Sequence, residues 1–131
     1  MVGRCVNALE TMRALASQGE VIQATAGDAI FSSGETGDCM FGVLEGTVEL
    51  TWNEEVGHEV IQAGDVFGAG ALVTAEHRRY GNAKAVSDCK LLKMNREKFL
   101  FAVQESPMFA IELLGSIDHR LRQLKDCTKV G

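Results

Sequence analysis

No run in this 131-residue chain approaches the roughly 18 apolar residues that a membrane helix needs, so no membrane span is expected. Residues 1–19 lack the long apolar block of a secretory leader. The four cysteines, at 5, 39, 89 and 127, form no CxxC pair. That spacing argues against zinc and for free thiols in a reducing cytoplasm. Basic residues are not in excess: the net charge is −5 and the pI about 5.2. That balance argues against a strongly basic nucleic-acid surface, though not against a local patch. There is no P-loop. Gly68 and Gly70 give only G-x-G, because Val73 stands where a dinucleotide fingerprint needs its third glycine. His58, His77 and His119 are isolated. Ser116, Asp118 and His119 would point in different directions on one helix, without a nucleophile elbow. No catalytic or metal site is therefore expected. No linker, repeat or low-complexity segment breaks the chain, and 46% hydrophobic with 24% charged residues suits one globular domain over 1–131.

Three patterns follow one another along the chain. Val6, Leu9, Met12 and Ala16 recur at helical spacing, predicting an amphipathic helix over about 3–17 that stops at Gly19. From about 20 to 94, short apolar or alternating runs are separated by glycine turns. The runs are 21–22, 29–31, 40–44, 47–52, 59–61, 85–86 and 90–94. Strands at such even spacing indicate a small antiparallel sandwich or barrel. Asn95 then caps a helix over about 95–104, with Phe99, Leu100 and Val103 inward. Ser106-Pro107 opens another over about 107–126. Its stripe Ile111, Leu114, Ile117, Leu121 and Leu124 is close to a coiled-coil seam. Spacing alone leaves open whether that stripe packs on its own barrel or on a second copy.

The candidate chemistry is concentrated in GDVFGAGALVTAEHRRYGNAKA, Gly64 to Ala85. A Gly-Asp turn leads through Val66-Phe67 into the small residues Gly68-Ala69-Gly70-Ala71-Leu72-Val73, which can open a short helix. Arg78 and Arg79 follow. Small residues admit close approach to the backbone. Free N–H groups at a helix start favour an anion, and an arginine fork can hold the same anion bidentately. The combination points to a phosphate pocket. A tight turn, a packed helical turn and a solvated charge pair account for the same residues.

Several linked turns carry a resemblance. Ala26 to Phe31 looks like G-x-x-I-F, and Gly34 to Phe41 like G-x-x-G-D-x-M-Y/F. Val43 to Val48 looks like I-x-x-G-x-V, and Gly64 to Gly68 like G-D-x-F-G. In this order, and followed by two helices, they resemble the cyclic-nucleotide-binding domains of catabolite-activator-type regulators, cyclic-nucleotide-dependent kinases and gated channels. The resemblance covers about residues 15–125. It implies a mainly β fold with flanking α: an eight-stranded antiparallel β-roll of jelly-roll type, one N-terminal helix and two C-terminal helices.

The family's phosphate cassette reads approximately F-G-E-x-A-L and then R-x-A. Its glutamate accepts the ribose 2′-hydroxyl and its arginine holds the cyclic phosphate. Here Phe67, Gly68, Ala71 and Leu72 match, and Arg79 falls on the phosphate arginine. Ala69 stands at the glutamate, Gly70 at a larger aliphatic residue, Tyr80 at a small hydroxyl residue and Gly81 at an alanine. Losing one charge-assisted hydrogen bond costs about 1.5–3 kcal/mol, or roughly 10- to 150-fold in affinity. Tyr80 either fills the phosphate space or offers a replacement donor. Glu76 is the nearest acidic residue after Ala69, and Leu124 and Lys125 stand near the family's base-contacting hydroxyl.

Two functions fit. One is a non-enzymatic regulatory sensor that binds cAMP, cGMP or another phosphate-bearing ligand, with no cofactor. It would signal through its C-terminal helices to a separate effector protein or a homodimer partner. No helix-turn-helix follows the last helix, so direct DNA binding is not expected. The other is a degenerate domain serving as an interaction or structural module.

Overall fold

The computed structural model describes the backbone of residues 8–15 and 20–130, and the side chains of 8–14 and 20–126. Glycine-punctuated alternation gives eight strands: β1 (Glu20–Ala24), β2 (Ala29–Phe31), β3 (Cys39–Glu45), β4 (Thr47–Trp52), β5 (Gly57–Gln62), β6 (Val66–Phe67), β7 (Asn82–Ala85) and β8 (Cys89–Asn95). Four helices join them: α1 (Ala8–Leu15), α2 (Gly70–Val73), α3 (Arg96–Glu105) and α4 (Pro107–Val130).

The strands form two four-stranded sheets, ordered β1-β8-β3-β6 and β2-β7-β4-β5. All pairings are antiparallel. The eight-stranded roll that the family resemblance implied is therefore present. The sheets close on Phe41, Val43, Val48, Ile61, Phe67 and Leu91. A second apolar cluster lies between the first sheet and the helices, built on Leu9, Met12, Met40, Leu92, Phe99 and Phe109. β3 serves both clusters: Phe41 and Val43 point into the roll, while Met40 points to the helices. A strand covered on both faces reads as a continuous apolar run, and Cys39 to Val43 is buried throughout.

Several sequence expectations need correction. β7 runs from Asn82 to Ala85, earlier than the 85–86 expected. Its inward residues are Ala83 and Ala85, whose small side chains give a weak alternation signal. The α1 residues Val6 and Ala16 and the Gly19 stop lie outside the described residues. Asn95 does cap α3, its side chain accepting from the Lys98 N–H at 2.9 Å. Phe99 and Ala102 are the buried residues of α3, whereas Leu100, one helical step round, is exposed.

Among the described side chains of α4 the buried residues are Phe109 and Leu113. Ser116 and Arg120 continue that face towards the roll, donating to Asp65 Oδ1 at 3.1 Å and to Glu59 Oε2 at 2.7 Å. The stripe of Ile111, Leu114, Ile117 and Leu121, whose partner the spacing left open, is exposed, Leu114 by 65%. Of the two partners the spacing allowed, the chain's own barrel is excluded for these four residues. The roll takes the neighbouring stripe because its rim offers carboxylates, which Ser116 and Arg120 satisfy and an aliphatic seam would not.

Candidate ligand-binding site

A single arginine anchors the site. Residues 78–80 lie antiparallel to the 34–36 turn: Arg79 N donates to Glu35 O at 2.8 Å, and Gly34 N to Arg79 O at 2.9 Å. This zipper fixes the backbone of Arg79 and sends its side chain inward, where the residue is only 6% exposed. Nη1 donates to Gly68 O and Nη2 to Cys39 O, both at 2.7 Å. The guanidinium carbon sits 4.1 Å from the ring centre of Phe31. Phe31, Phe41 and Phe67 pack together, with centroids 5.3–6.2 Å apart. Ring faces and oriented carbonyls replace part of the lost hydration, cation–π contact being worth about 2 kcal/mol where water is excluded.

Two glycines make room for this group. A side chain at Gly37 would run into the guanidinium, an added Cβ lying 2.6 Å from Cζ. Gly68 has φ +86° and would bring a Cβ to 3.1 Å from Nη1. Its left-handed backbone turns its own carbonyl onto Arg79. Burial lowers the Arg79 pKa from its ordinary value, chiefly by desolvation. Burial also raises the Cys39 thiol, desolvation outweighing the pull of the Arg79 charge. The thiol is thus a neutral neighbour, its sulfur 3.6 Å from Nη2.

Arg79 borders a cavity of about 340 Å³. Its walls come from β2, β4, β5, the 68–74 segment, the 78–82 segment and α4. Phe31, Leu50 and Trp52 supply apolar surface, and Arg78, Arg79 and Arg120 supply positive charge. Glu59 is the one carboxylate among the described lining residues. The cavity is thus locally cationic in a chain of net charge −5. A guanidinium fork carries five donors, more than the two carbonyls consume, so Arg79 retains capacity for an anion.

The expected site residues divide into two groups. Gly68, Gly70, Ala71, Arg79, Tyr80 and Gly81 line the cavity together. Phe67, Ala69 and Leu72 belong to the apolar clusters and do not line it. Ala69 is buried because it packs inward before the first turn of α2, while Gly70 faces open space. Tyr80 does not fill the phosphate space: it is 80% exposed, at the cavity's mouth. Glu76, Leu124 and Lys125 do not line the cavity.

Sequence reasoning did not pick out Phe31, Gly37, Glu59 or Arg120. Two signals pointed to the last pair. Glu59 shares the alternating inward face of β5 with Ile61. Arg120 continues the 109–113–116 face of α4 at helical spacing.

The family model for the cyclic nucleotide-binding domain matches residues 21–106. The chain is 32% identical over 101 residues to the cyclic AMP receptor protein of Thermus thermophilus, covering 74% of this chain and 46% of that protein. It is 30% identical over 112 residues to the lysophospholipase NTE1 of Pyricularia oryzae, covering 82% of this chain and 7% of that enzyme. A solved structure from a cyclic-GMP-dependent signalling pathway that regulates bacterial phytopathogenesis superposes with a TM-score of 0.74 at 26% identity, covering 87% of this chain and 93% of that one. The chain spans less than half the length of the two curated relatives. The match to the lysophospholipase lies within a small part of that enzyme. The roll, the inward arginine and a family match over most of its length lead to one conclusion: the chain belongs to the cyclic nucleotide-binding domain family.

Proposed function

We propose that this domain is a non-enzymatic sensor that binds a cyclic nucleotide, cAMP or cGMP, or another phosphate-bearing ligand, in the cavity beside Arg79. The observation that carries the reading is one buried guanidinium, held in place by Gly68 and Cys39 carbonyls, bordering a 340 Å³ cavity. The ligand's anionic group engages the Arg79 fork, with Arg78 adding charge at the rim. Its apolar ring lies against Phe31, Leu50 and Trp52. The cavity reaches α4 through Arg120, which gives occupancy a route to the C-terminal helices. A ligand moves those helices only as far as its affinity differs between their two arrangements.

The output goes to an effector protein or to a second copy through the exposed seam of Ile111, Leu114, Ile117 and Leu121. Free buried thiols at Cys39 and Cys89 suit a reducing cytoplasm. A second reading, a module that no longer binds nucleotide, is favoured by Ala69 lying in the core where the family has its carboxylate. Calorimetry with cAMP and cGMP separates the two. Saturable heat that Arg79→Ala removes supports the sensor; no heat at millimolar ligand supports the module.

A further inference from the structure

We propose that Glu59 is the specificity-determining acceptor of this cavity, taking a hydrogen bond from a sugar hydroxyl of the ligand, with Arg120 as the residue that positions it. The inference rests on the reading of the cavity as a nucleotide site. Glu59 stands on the inward face of β5, and its side chain is 13% exposed. A carboxylate so covered needs hydrogen-bonding partners in place of the water it has lost. Arg120 provides one, with Nε 2.7 Å from Oε2 and Nη2 3.2 Å from Oε1. Its Nη1 donates to Val66 O at 3.0 Å, so the fork itself is anchored to β6. An ionised carboxylate has about four lone-pair sites, and a fork takes one on each oxygen. Acceptor capacity is left on a rigidly held group that borders the cavity.

That capacity cannot serve a phosphate, which carries the same sign of charge. It requires a donor. The cavity therefore pairs cationic groups with a single carboxylate among its described lining residues, matching a ligand that carries both an anion and a hydroxyl. The 68–72 segment offers no competing carboxylate: Ala69 is in the core and Gly70 has no side chain. An acceptor on β5 also has a consequence that one on the 68–72 segment lacks. A ligand hydroxyl on Glu59 touches the same carboxylate that holds α4, so hydroxyl recognition and helix position share one group.

The test compares cyclic nucleotides with their 2′-deoxy analogues by calorimetry, in the unaltered protein and in Glu59→Gln. A charged acceptor predicts that removing the hydroxyl weakens binding about tenfold or more. In Glu59→Gln that preference should fall to within about threefold, an amide oxygen being the weaker, neutral acceptor. No hydroxyl preference in the unaltered protein overturns the proposal. So does a preference that Glu59→Gln leaves intact. If Glu59→Gln does not fold, Glu59→Asp, which withdraws the oxygens by one methylene, must show the reduced preference, and a full preference there overturns it. Nucleotide binding that Arg79→Ala leaves unchanged defeats the reading of the cavity itself, whatever the hydroxyl does.

Discussion

The cavity's two deeper arginines are held in different ways. Arg79 is fixed by backbone: its own main chain is zipped to 34–36, and its fork rests on the carbonyls of Gly68 and Cys39. Arg120 is fixed mainly by a side chain, Glu59, and stands on a helix outside the roll. Carbonyls built into strands and turns cannot leave without unfolding them. A carboxylate can exchange one donor for another at far lower cost. The Arg79 end is therefore framework, and the Arg120 end is a joint between the roll and α4.

This contrast can be broken at either end. The largest effect on stability is expected from Arg120→Gln, which leaves Glu59 without its cation. Unpairing a buried charge costs about 3–5 kcal/mol; residual exposure of both side chains reduces the expectation to roughly 2–3 kcal/mol. Hydrogen exchange should show α4 losing protection while β3 and β8 keep theirs. Equal loss across the roll would mean the joint is framework after all. Next is Gly37→Ala, whose Cβ meets the guanidinium. Overpacking of this kind costs about 1–3 kcal/mol. Because the carbonyls hold Arg79 in place, denaturant midpoint and ligand affinity should fall together. A drop in stability with unchanged affinity would show that Arg79 can yield without consequence.

A smaller effect concerns Cys39, on the framework side. Its thiol pKa is raised above the ordinary 9.0, first by desolvation, with the Arg79 charge opposing. A group whose folded pKa is raised contributes stability in full below its unfolded pKa and loses it as pH rises through the folded value. Stability should therefore fall above about pH 9 more steeply in the parent than in Cys39→Ala, by at most about 1.4 kcal/mol per pH unit. Parallel curves would contradict the assignment. The smallest effect on folding is expected from Leu114→Lys on the exposed seam, within about 0.5 kcal/mol. The same substitution should convert any dimer to monomer in sedimentation equilibrium. An unchanged mass would remove the seam as an interface between copies.

The framework end was the more legible of the two in sequence. Glycine-bounded turns and alternating strands marked the roll, and the family spacing marked Arg79. Those features are local, or repeat within a few residues. That Ala69 lies in the core was not legible, because matching residue types along a turn does not show which of two neighbours faces inward. Leu100 was misplaced, and the partner of the 111–121 stripe stayed open, because apolar spacing alone cannot say which helix face meets the roll. That choice was made by polar partners distant in sequence, Asp65 for Ser116 and Glu59 for Arg120. The Glu59–Arg120 pair joins residues 61 positions apart. Each was visible singly, as a charged residue on an inward face, but not as a pair.

The central claim is that Arg79 holds an anionic ligand in this cavity. Its most direct test is calorimetric titration of the parent protein and Arg79→Ala with cAMP and cGMP at one ionic strength. We predict saturable binding of at least one nucleotide by the parent, weakened at least about 100-fold in Arg79→Ala, as expected for two charge-assisted hydrogen bonds. Equal affinities in the two proteins, or no heat from either nucleotide at millimolar concentration, would contradict it.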